Sequence, residues 1–193
     1  MRERSGRRPP FRDPRLRLLV VCGGRRTEPD YFQALKRHLR NPAVHVRVRA
    51  KGRDPEDLVR FARSLVPEAS DEFDEVWCVV DSDEYDLEPA AALASRLNVR
   101  LAVSNPCFEL WLLLHYQDCS APLCDARAAL RHLVRHVPDY QKNGLRFADF
   151  ESGVLDAIRR AEKLDPTGCD HRRDPSSGVW RLVQQMMMGS QLP

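Results

Sequence analysis

The sequence predicts an α/β fold in which a mainly parallel sheet is flanked by helices and followed by a helical C-terminal extension. Short apolar runs rich in β-branched residues alternate with helical patterns over residues 16–103, as in a helix-covered parallel sheet. The run 76–80 is continuously apolar, which is typical of a strand buried on both faces. From about residue 117 onward the pattern becomes helical.

The chain order of the elements follows from these patterns. The predicted strands are 16–22, 44–49, 76–80 and 99–103. The second strand alternates apolar and polar residues, so one of its faces is expected to be polar. One helix is predicted after the first strand, around Phe32, and a second begins at residue 54. The later predicted helices span 90–97, 107–116, 122–136, 152–164 and 176–188.

Helix starts are marked by capping residues. Thr27 is a credible N-cap for the first helix, and Asp54 before Pro55 marks the start of the second. Ser104 or Asn105 is expected to cap the very apolar helix 107–116.

Composition restricts the class of protein. A length of 193 residues with 42% hydrophobic and 31% charged residues fits one globular domain with an extension. No apolar run approaches the ~20 residues of a membrane span, so no membrane association is expected. The six cysteines show no paired framework, which favours a cytoplasmic protein with reduced thiols. The oligomeric state does not follow from the sequence.

We divide the chain into a flexible basic arm (1–15), an α/β domain (16–116) and a helical extension packed on it (117–193). The first seventeen residues carry seven arginines, and the basic arm could contact a phosphate backbone or serve only as a solvated terminus. The net charge of +3 is too small to identify a partner by itself.

Two carboxylates follow the central strand, Asp81 at its end and Asp83 two residues later. Open α/β sheets usually bind ligands beyond the carboxyl ends of their strands. Like charges this close repel, and a divalent cation such as Mg²⁺ or Mn²⁺ would offset that repulsion with oxygen ligands. A solvated acidic turn or a helix N-cap is the alternative interpretation.

Basic residues follow the first two strands. Arg25 and Arg26 lie in a glycine-containing loop between a strand and a helix, a place suited to anions. Lys51 and Arg53 follow the second strand and could line the same edge. A solvated loop is the alternative in each case.

Four stretches together resemble the RloB family, whose fold is Toprim-like. They are Val-Val-Cys-Gly-Gly-Arg-Arg-Thr-Glu-Pro-Asp-Tyr-Phe at 20–32, the Asp81-x-Asp83 strand end, Ser-Asn-Pro-Cys-Phe-Glu-Leu-Trp-Leu-Leu-Leu-His-Tyr at 104–116 and Asp-Pro-Ser-Ser-Gly-Val-Trp-Arg-Leu-Val at 174–183. The third stretch is the most specific. The resemblance covers nearly the whole chain after residue 15 and implies a metal-dependent nuclease from bacterial restriction or abortive-infection loci, often found beside an ATPase.

The resemblance also implies site residues. Toprim-like sites use a glutamate after the first strand and an Asp-x-Asp after a later strand for catalysis and metal binding. In this chain the Asp-x-Asp is Asp81 and Asp83. This chain has Gly23 where the family usually has that glutamate. Glu28 or Glu109 could replace it. Alternatively, Glu28 complements a helix dipole and Glu109 forms a salt bridge to a nearby arginine.

The sequence is compatible with two functions. The first is a Mg²⁺-dependent nuclease of anti-phage defence. The second is a degenerate subunit that binds nucleic acid or a partner ATPase, because Gly23 replaces the acid. Lys142, within a Tyr-x-Lys that resembles one often seen in the family, is a candidate phosphate contact in either case.

Overall fold

The computed structural model describes residues 16–48, 54–67, 72–82, 86–123 and 125–188. Within these ranges the centre of the fold is a sheet with the strand order β2-β1-β3-β4-β5. β1 to β4 are mutually parallel, and β5 runs antiparallel to β4. The predicted α/β fold with a mainly parallel sheet is confirmed. The strands are β1 Leu18–Cys22, β2 Val44–Val48, β3 Glu75–Asp81, β4 Arg100–Asn105 and β5 Ser176–Ser177.

Helices cover both faces of this sheet. Asp54 caps the second helix as predicted, accepting a hydrogen bond from the Glu56 backbone N–H. None of the helices in the described part of the chain has the length and apolarity needed to cross a membrane. The α-helices of this part are α1 Thr27–His38, α2 Pro55–Ser64, α3 Glu88–Arg96, α4 Phe108–Leu113, α5 Ala126–Leu133, α6 Val154–Leu164 and α7 Val179–Met188. Two 3₁₀ helices, Phe147–Asp149 and Glu151–Gly153, precede α6.

The alternation of side chains along β3 separates two apolar cores. Trp77 and Val79 face the larger core, which α1 and α4 to α7 also line. Cys78 and Val80 face the smaller core under α2 and α3. Because successive side chains of a strand point to opposite faces, Asp81 belongs to the face of Trp77 and Val79. The strand therefore delivers its terminal carboxylate toward α1 and α4.

The C-terminal helix begins later than the sequence predicts. Ser176 and Ser177 pair with Asn105 and Ser104 as β5, so α7 starts only at Val179. The hydroxyls of Ser104 and Ser177 lie 3.0 Å apart in the protein interior. A two-residue strand is too short to leave a periodic signal, and its serines resemble an ordinary helix start.

Two capping predictions are wrong. Asn105 does not cap α4, because the N-cap position is Cys107 and the Asn105 amide instead donates to the His171 carbonyl. Thr27 is the first residue of α1 and not its N-cap, which is Arg26. The division into arm, domain and extension stays a prediction. Of the candidate site residues, Lys51, Arg53 and Asp83 lie outside the described residues.

Candidate active site

The site begins where β3 ends between β1 and β4. Asp81 is paired in register with Ser104 of β4, and Val79 is paired with Cys22 at the end of β1. The parallel strands therefore terminate at one edge, where ligands bind in such sheets. Asp81 is half-buried, and its Oδ1 atom is fully buried.

Glu28 lies beside this edge in the first turn of α1. It is only 7% exposed, and its carboxylate rests against the Gly24 backbone so closely that a Cβ at position 24 would collide with it. Burial raises the pKa of Glu28. Its own backbone N–H opposes the rise, and the charge of Glu109 adds to it. Glu28 is therefore a carboxyl group that holds a proton at higher pH than an ordinary glutamate.

Glu109 is the most buried of these carboxylates and has a direct cationic partner. It lies in the first turn of α4 and is 3% exposed. Its Oε1 atom is 2.9 Å from Nζ of Lys142 and accepts a hydrogen bond from the Tyr140 hydroxyl at 3.3 Å. The pairing offsets the penalty of burying a carboxylate. Sequence reasoning expected an arginine as the salt-bridge partner, and the structure places Lys142 there.

Lys142 reaches the site from the loop after α5. The Thr27 hydroxyl donates to the Lys142 backbone carbonyl at 2.8 Å, which fixes this loop to the start of α1. The lysine side chain is 56% exposed, so its ammonium group borders solvent. Burial acts to lower the pKa of Lys142. The hydrogen bond and charge of Glu109, with smaller help from Cys107 and Asp81, outweigh burial and raise that pKa.

The pKa values of two buried thiols show which carboxylates lie near them at the sheet edge. Burial raises the pKa of Cys107, and the charges of Glu109 and Asp81 raise it further. Burial likewise raises the pKa of Cys22, with the charge of Glu28 as the next cause. Asp81, Glu28 and Glu109 thus lie on the Cys22 and Cys107 side of the sheet edge. With Lys142 they form what we term the acid–lysine cluster.

The predicted arginines lie in the loop that precedes this cluster. Arg25 and Arg26 are both exposed between β1 and α1, and Arg26 occupies the N-cap position of α1. Of the predicted site residues that the structure describes, Glu28, Asp81, Glu109 and Lys142 thus lie at the sheet edge, and Arg25 and Arg26 lie in the loop before α1.

The chemistry of the cluster suits a hard cation only in part. Carboxylate oxygens are the donors that Mg²⁺ prefers. Within the described ranges, however, no three His, Cys, Asp or Glu side chains group closely enough to hold a metal ion. Lys142 already places a positive charge against Glu109. The described residues therefore do not form a complete metal centre by themselves, and Asp83 is outside those ranges.

Three contributions to the site were missed by sequence reasoning. Thr27 was interpreted as a cap, although its hydroxyl holds the Lys142 segment. Gly24 was interpreted only as part of the glycine-containing loop after the first strand, although its missing side chain makes room for the Glu28 carboxylate. Tyr140 was named only as part of the Tyr-x-Lys, although it donates to Glu109. The two-residue spacing of Tyr140 and Lys142 was the available signal, but it did not identify Glu109 as their common partner.

The fold and the cluster together define an α/β protein with buried carboxylates and a lysine at the carboxyl edge of a mainly parallel sheet. The chain belongs to the RloB-like protein family, whose family model matches residues 18–186. No curated protein matches the chain significantly.

One solved structure resembles part of the fold. It is described as a periplasmic sugar-binding protein from Pseudomonas fluorescens, with 16% sequence identity and a TM-score of 0.35. The match covers 77% of this chain and 65% of that chain, so it spans slightly less than two-thirds of that protein. At this level of similarity the match carries no argument about function.

Proposed function

We propose that the protein is a metal-dependent nuclease that cleaves phosphodiester bonds of nucleic acid in bacterial anti-phage defence. The observation that carries the proposal is the convergence of Asp81, Glu28, Glu109 and Lys142 at the carboxyl edge of the sheet. Buried ionisable groups with shifted pKa values at a sheet edge are typical of catalytic sites. Membership of the RloB-like family is compatible with this function.

Asp81 and Asp83 are the residues that would hold Mg²⁺ or Mn²⁺ in this proposal. Asp81 is supported by its place at the end of β3, with one oxygen buried and a charge that acts on Lys142. A divalent cation would supply electrostatic stabilisation of the charge that develops on the phosphate.

Glu28 is a better candidate than Glu109 to replace the glutamate that the family usually has at position 23. Burial raises its pKa, so Glu28 holds a proton at higher pH than an ordinary glutamate, and it can give that proton to a leaving oxygen. Glu109 is already engaged by Lys142 and Tyr140. We therefore assign Glu28 the acid–base role and Glu109 a positioning role that acts through Lys142.

Lys142 supplies the positive charge that meets a scissile phosphate. Its half-exposed ammonium group is held at the edge by Glu109 and by the Thr27 bond to its carbonyl. Arg25 and Arg26, both exposed, would contact flanking phosphates of the polymer. These contacts would bind nucleic acid without reading its sequence. A cytoplasmic location and an ATPase partner are further parts of the proposal.

A second candidate function is a binding-only subunit that engages nucleic acid or a partner ATPase. Two observations favour it. Gly23 replaces the acid that the family resemblance implies, and the described residues do not group three metal donors. In that case the Glu109–Lys142 pair would be a structural remnant of the site, and Lys142 would contribute only affinity for phosphates.

The two functions are separated by cleavage assays with single- and double-stranded DNA and RNA in Mg²⁺, Mn²⁺ or EDTA. We expect the wild type to cut with a divalent cation and Asp81→Asn to lose cutting while it retains the fold. Asp30→Asn is the matched control, because Asp30 is an exposed acid in the first turn of α1. A wild type that binds nucleic acid under all conditions but never cuts it supports the binding subunit.

A further inference from the structure

The outer side of α5 carries a row of arginines. Arg127, Arg131 and Arg135 are spaced four residues apart, and all three are exposed. Residues at this spacing lie on one side of a helix. Arg135 lies in the turn after α5, where its backbone N–H donates to the His132 carbonyl at 3.2 Å and continues the coil of the helix. We call this row the arginine face.

The opposite side of α5 is buried in the larger core. Ala129 and Leu133 are fully buried, and Val137, four residues further on, is 5% exposed. Each of these residues follows an arginine by two positions, which is a rotation of about 200° around the helix axis. The arginine face is therefore directed away from the core and does not contribute to its packing.

The charges of the arginine face are not balanced by the chain itself. Among the described residues, none of the three arginines forms an ion pair or a side-chain hydrogen bond. Residues 126–138 contain no acid, and Asp125 is engaged as the N-cap of α5, accepting from the Ala128 backbone N–H at 2.7 Å. A solvated helix face usually mixes both signs, as α6 does where Arg159 pairs with Asp156.

The stability of α5 does not account for the row. Arg131 lies in the last turn, where a positive charge complements the helix dipole. Arg127 lies in the first turn, where the same dipole opposes a positive charge. Like charges four residues apart also repel each other along a helix. The row thus weakens the helix that carries it, and an anion bound to the arginine face would offset that repulsion.

The spacing and chemistry of the row fit a phosphate backbone. At a rise of about 1.5 Å per residue, arginines four residues apart are separated by about 6 Å along the helix. Phosphates of one duplex strand are spaced ~3.4 Å along the duplex axis, so the row matches about every second phosphate. Guanidinium groups bind phosphate oxygens in a bidentate manner. A membrane surface is disfavoured, because the apolar side of α5 is already buried in the core.

The chain leads from the arginine face to the candidate site. The Tyr140 backbone N–H donates to the Val137 carbonyl at 3.0 Å, so a compact turn follows the face. The same segment then places Tyr140 and Lys142 against Glu109 at the sheet edge. We propose that the arginine face binds the phosphate backbone of a nucleic acid that also contacts Lys142. The inference rests on the nucleic-acid binding of the proposed function and not on cleavage.

Fluorescence anisotropy with labelled single- and double-stranded DNA and RNA in EDTA tests the arginine face in the absence of cleavage. The wild type is compared with two triple variants. The first carries Arg127→Gln, Arg131→Gln and Arg135→Gln, and the control carries Arg60→Gln, Arg96→Gln and Lys163→Gln. The control removes the same net charge from exposed positions of α2, α3 and α6. Glutamine has a helix propensity close to that of arginine, and circular dichroism checks that each protein is folded.

The affinity and its dependence on salt are measured together. Each phosphate contact contributes about 0.9 to the slope of log affinity against log salt on a duplex, and about 0.7 on a single strand. The arginine-face variant should therefore lose roughly 2 to 3 from the magnitude of the slope. We expect its affinity at about 0.1 M salt to fall tenfold or more, and that of the control to fall less than about threefold.

The outcomes separate this inference from the proposed nuclease. An arginine-face variant that binds nucleic acid as tightly as the control, with the wild-type salt slope, overturns the inference and leaves the nuclease proposal standing. Binding that depends on the arginines in a wild type that never cuts retains the inference and rejects the nuclease. A wild type that binds no nucleic acid overturns both.

Poly-glutamate is the competitor that tests the class of ligand. We expect it to displace labelled nucleic acid from the wild type less effectively, charge for charge, than unlabelled nucleic acid does. Equal displacement by poly-glutamate, lost in the arginine-face variant, would show that the face takes an acidic protein, and it would overturn the inference.

Discussion

Nζ of Lys142 lies 2.9 Å from Oε1 of Glu109, and this contact joins the loop after α5 to the first turn of α4. Glu109 is 3% exposed while the lysine side chain is 56% exposed. The pair therefore connects a buried carboxylate to a solvent-facing ammonium group. Tyr140 donates to the same carboxylate oxygen, so Glu109 fixes two side chains of one loop at the sheet edge.

Lys142→Met should destabilise the fold because it leaves the Glu109 carboxylate buried without its cation. Removing one partner of a buried pair is strongly destabilising, and solvent around the lysine reduces the effect here to roughly 2 kcal/mol. Adding Glu109→Gln to Lys142→Met should recover most of this loss, since a neutral amide is less costly to bury. Urea unfolding of the four proteins of this double-mutant cycle measures the coupling.

Lys163→Met is the matched control for this cycle, because Lys163 is an exposed lysine on α6. It should change the free energy of unfolding by less than about 0.5 kcal/mol, as surface substitutions usually do. Additive effects of Lys142→Met and Glu109→Gln would contradict the structural pairing. Cleavage or nucleic-acid binding should fall in Lys142→Met and be partly retained in Lys142→Arg.

Gly24→Ala should move the Glu28 carboxylate without unfolding the protein. A Cβ at position 24 would collide with both carboxylate oxygens of Glu28. Those atoms are the end of a flexible side chain, so they can shift at low cost. We expect a change in the free energy of unfolding of less than about 1 kcal/mol and a loss of cleavage close to that of Glu28→Gln.

Gly144→Ala serves as the control for Gly24→Ala, because a Cβ at position 144 would meet no atom within 4 Å. Full cleavage by Gly24→Ala, together with loss of cleavage in Glu28→Gln, would show that the position of the Glu28 carboxylate is not critical. Cleavage that is unchanged in both variants would remove Glu28 from the acid–base role.

The outline of the sheet was predictable from sequence because buried parallel strands leave a strong local signal. The apolar run of β3 identified the central strand, and Asp54 with Pro55 identified the start of α2. β5 was not predictable, since Ser176 and Ser177 are strand residues only through their pairing with β4. Local patterns contain no information about such distant partners.

The site was predictable in its residues but not in its pairings. Asp81 was a candidate because it ends the central strand, Glu28 and Glu109 because the family acid is absent at position 23, and Lys142 because its Tyr-x-Lys resembles one seen in the family. The link between Lys142 and Glu109 depends on how the loop after α5 folds back, which Thr27 fixes through the Lys142 carbonyl. Neither contact has a periodic or short-range signature in the sequence.

Gly23→Glu tests whether the absent family acid limits activity. A Cβ at position 23 would lie 3.3 Å from the Val79 carbonyl oxygen and 3.6 Å from Cδ2 of Leu58. The side chain would thus begin beside α2, away from the face of the sheet that carries Glu28 and Glu109. We expect a folded variant, slightly less stable, that cuts no faster than the wild type.

The comparison needs wild type, Gly23→Glu and Gly23→Ala in the same Mg²⁺ and Mn²⁺ assays. Gly23→Ala is the matched control for the added Cβ alone. An inert wild type together with a Gly23→Glu variant that cuts would show that the natural chain is a degenerate member, and it would replace the nuclease proposal with the binding subunit.

The buried His115 should make the protein less stable in acid. The Trp111 carbonyl 3.0 Å from Nδ1 can only accept, so Nδ1 carries the hydrogen, and Nε2 accepts from the Tyr31 hydroxyl at 3.0 Å. Burial lowers the pKa of His115 from 6.5 to about 4, although the backbone bonds to Trp111 and Leu112 oppose the shift. The folded protein therefore keeps this imidazole neutral where the unfolded chain would protonate it.

Below pH 6.5 the unfolded state binds the His115 proton more strongly, so the free energy of unfolding should fall as the pH is lowered toward 4. The full loss from this residue is about 3 kcal/mol. Urea unfolding of wild type and His115→Gln at intervals between pH 7 and pH 4 measures it. The His115→Gln variant should be less stable at neutral pH, but its free energy of unfolding should fall less steeply as the pH is lowered. Because Glu28 is present in both proteins, subtracting one curve from the other removes its contribution. Parallel declines in the two proteins would mean that His115 is protonated in the folded state, and that the Tyr31 hydroxyl accepts from its ring.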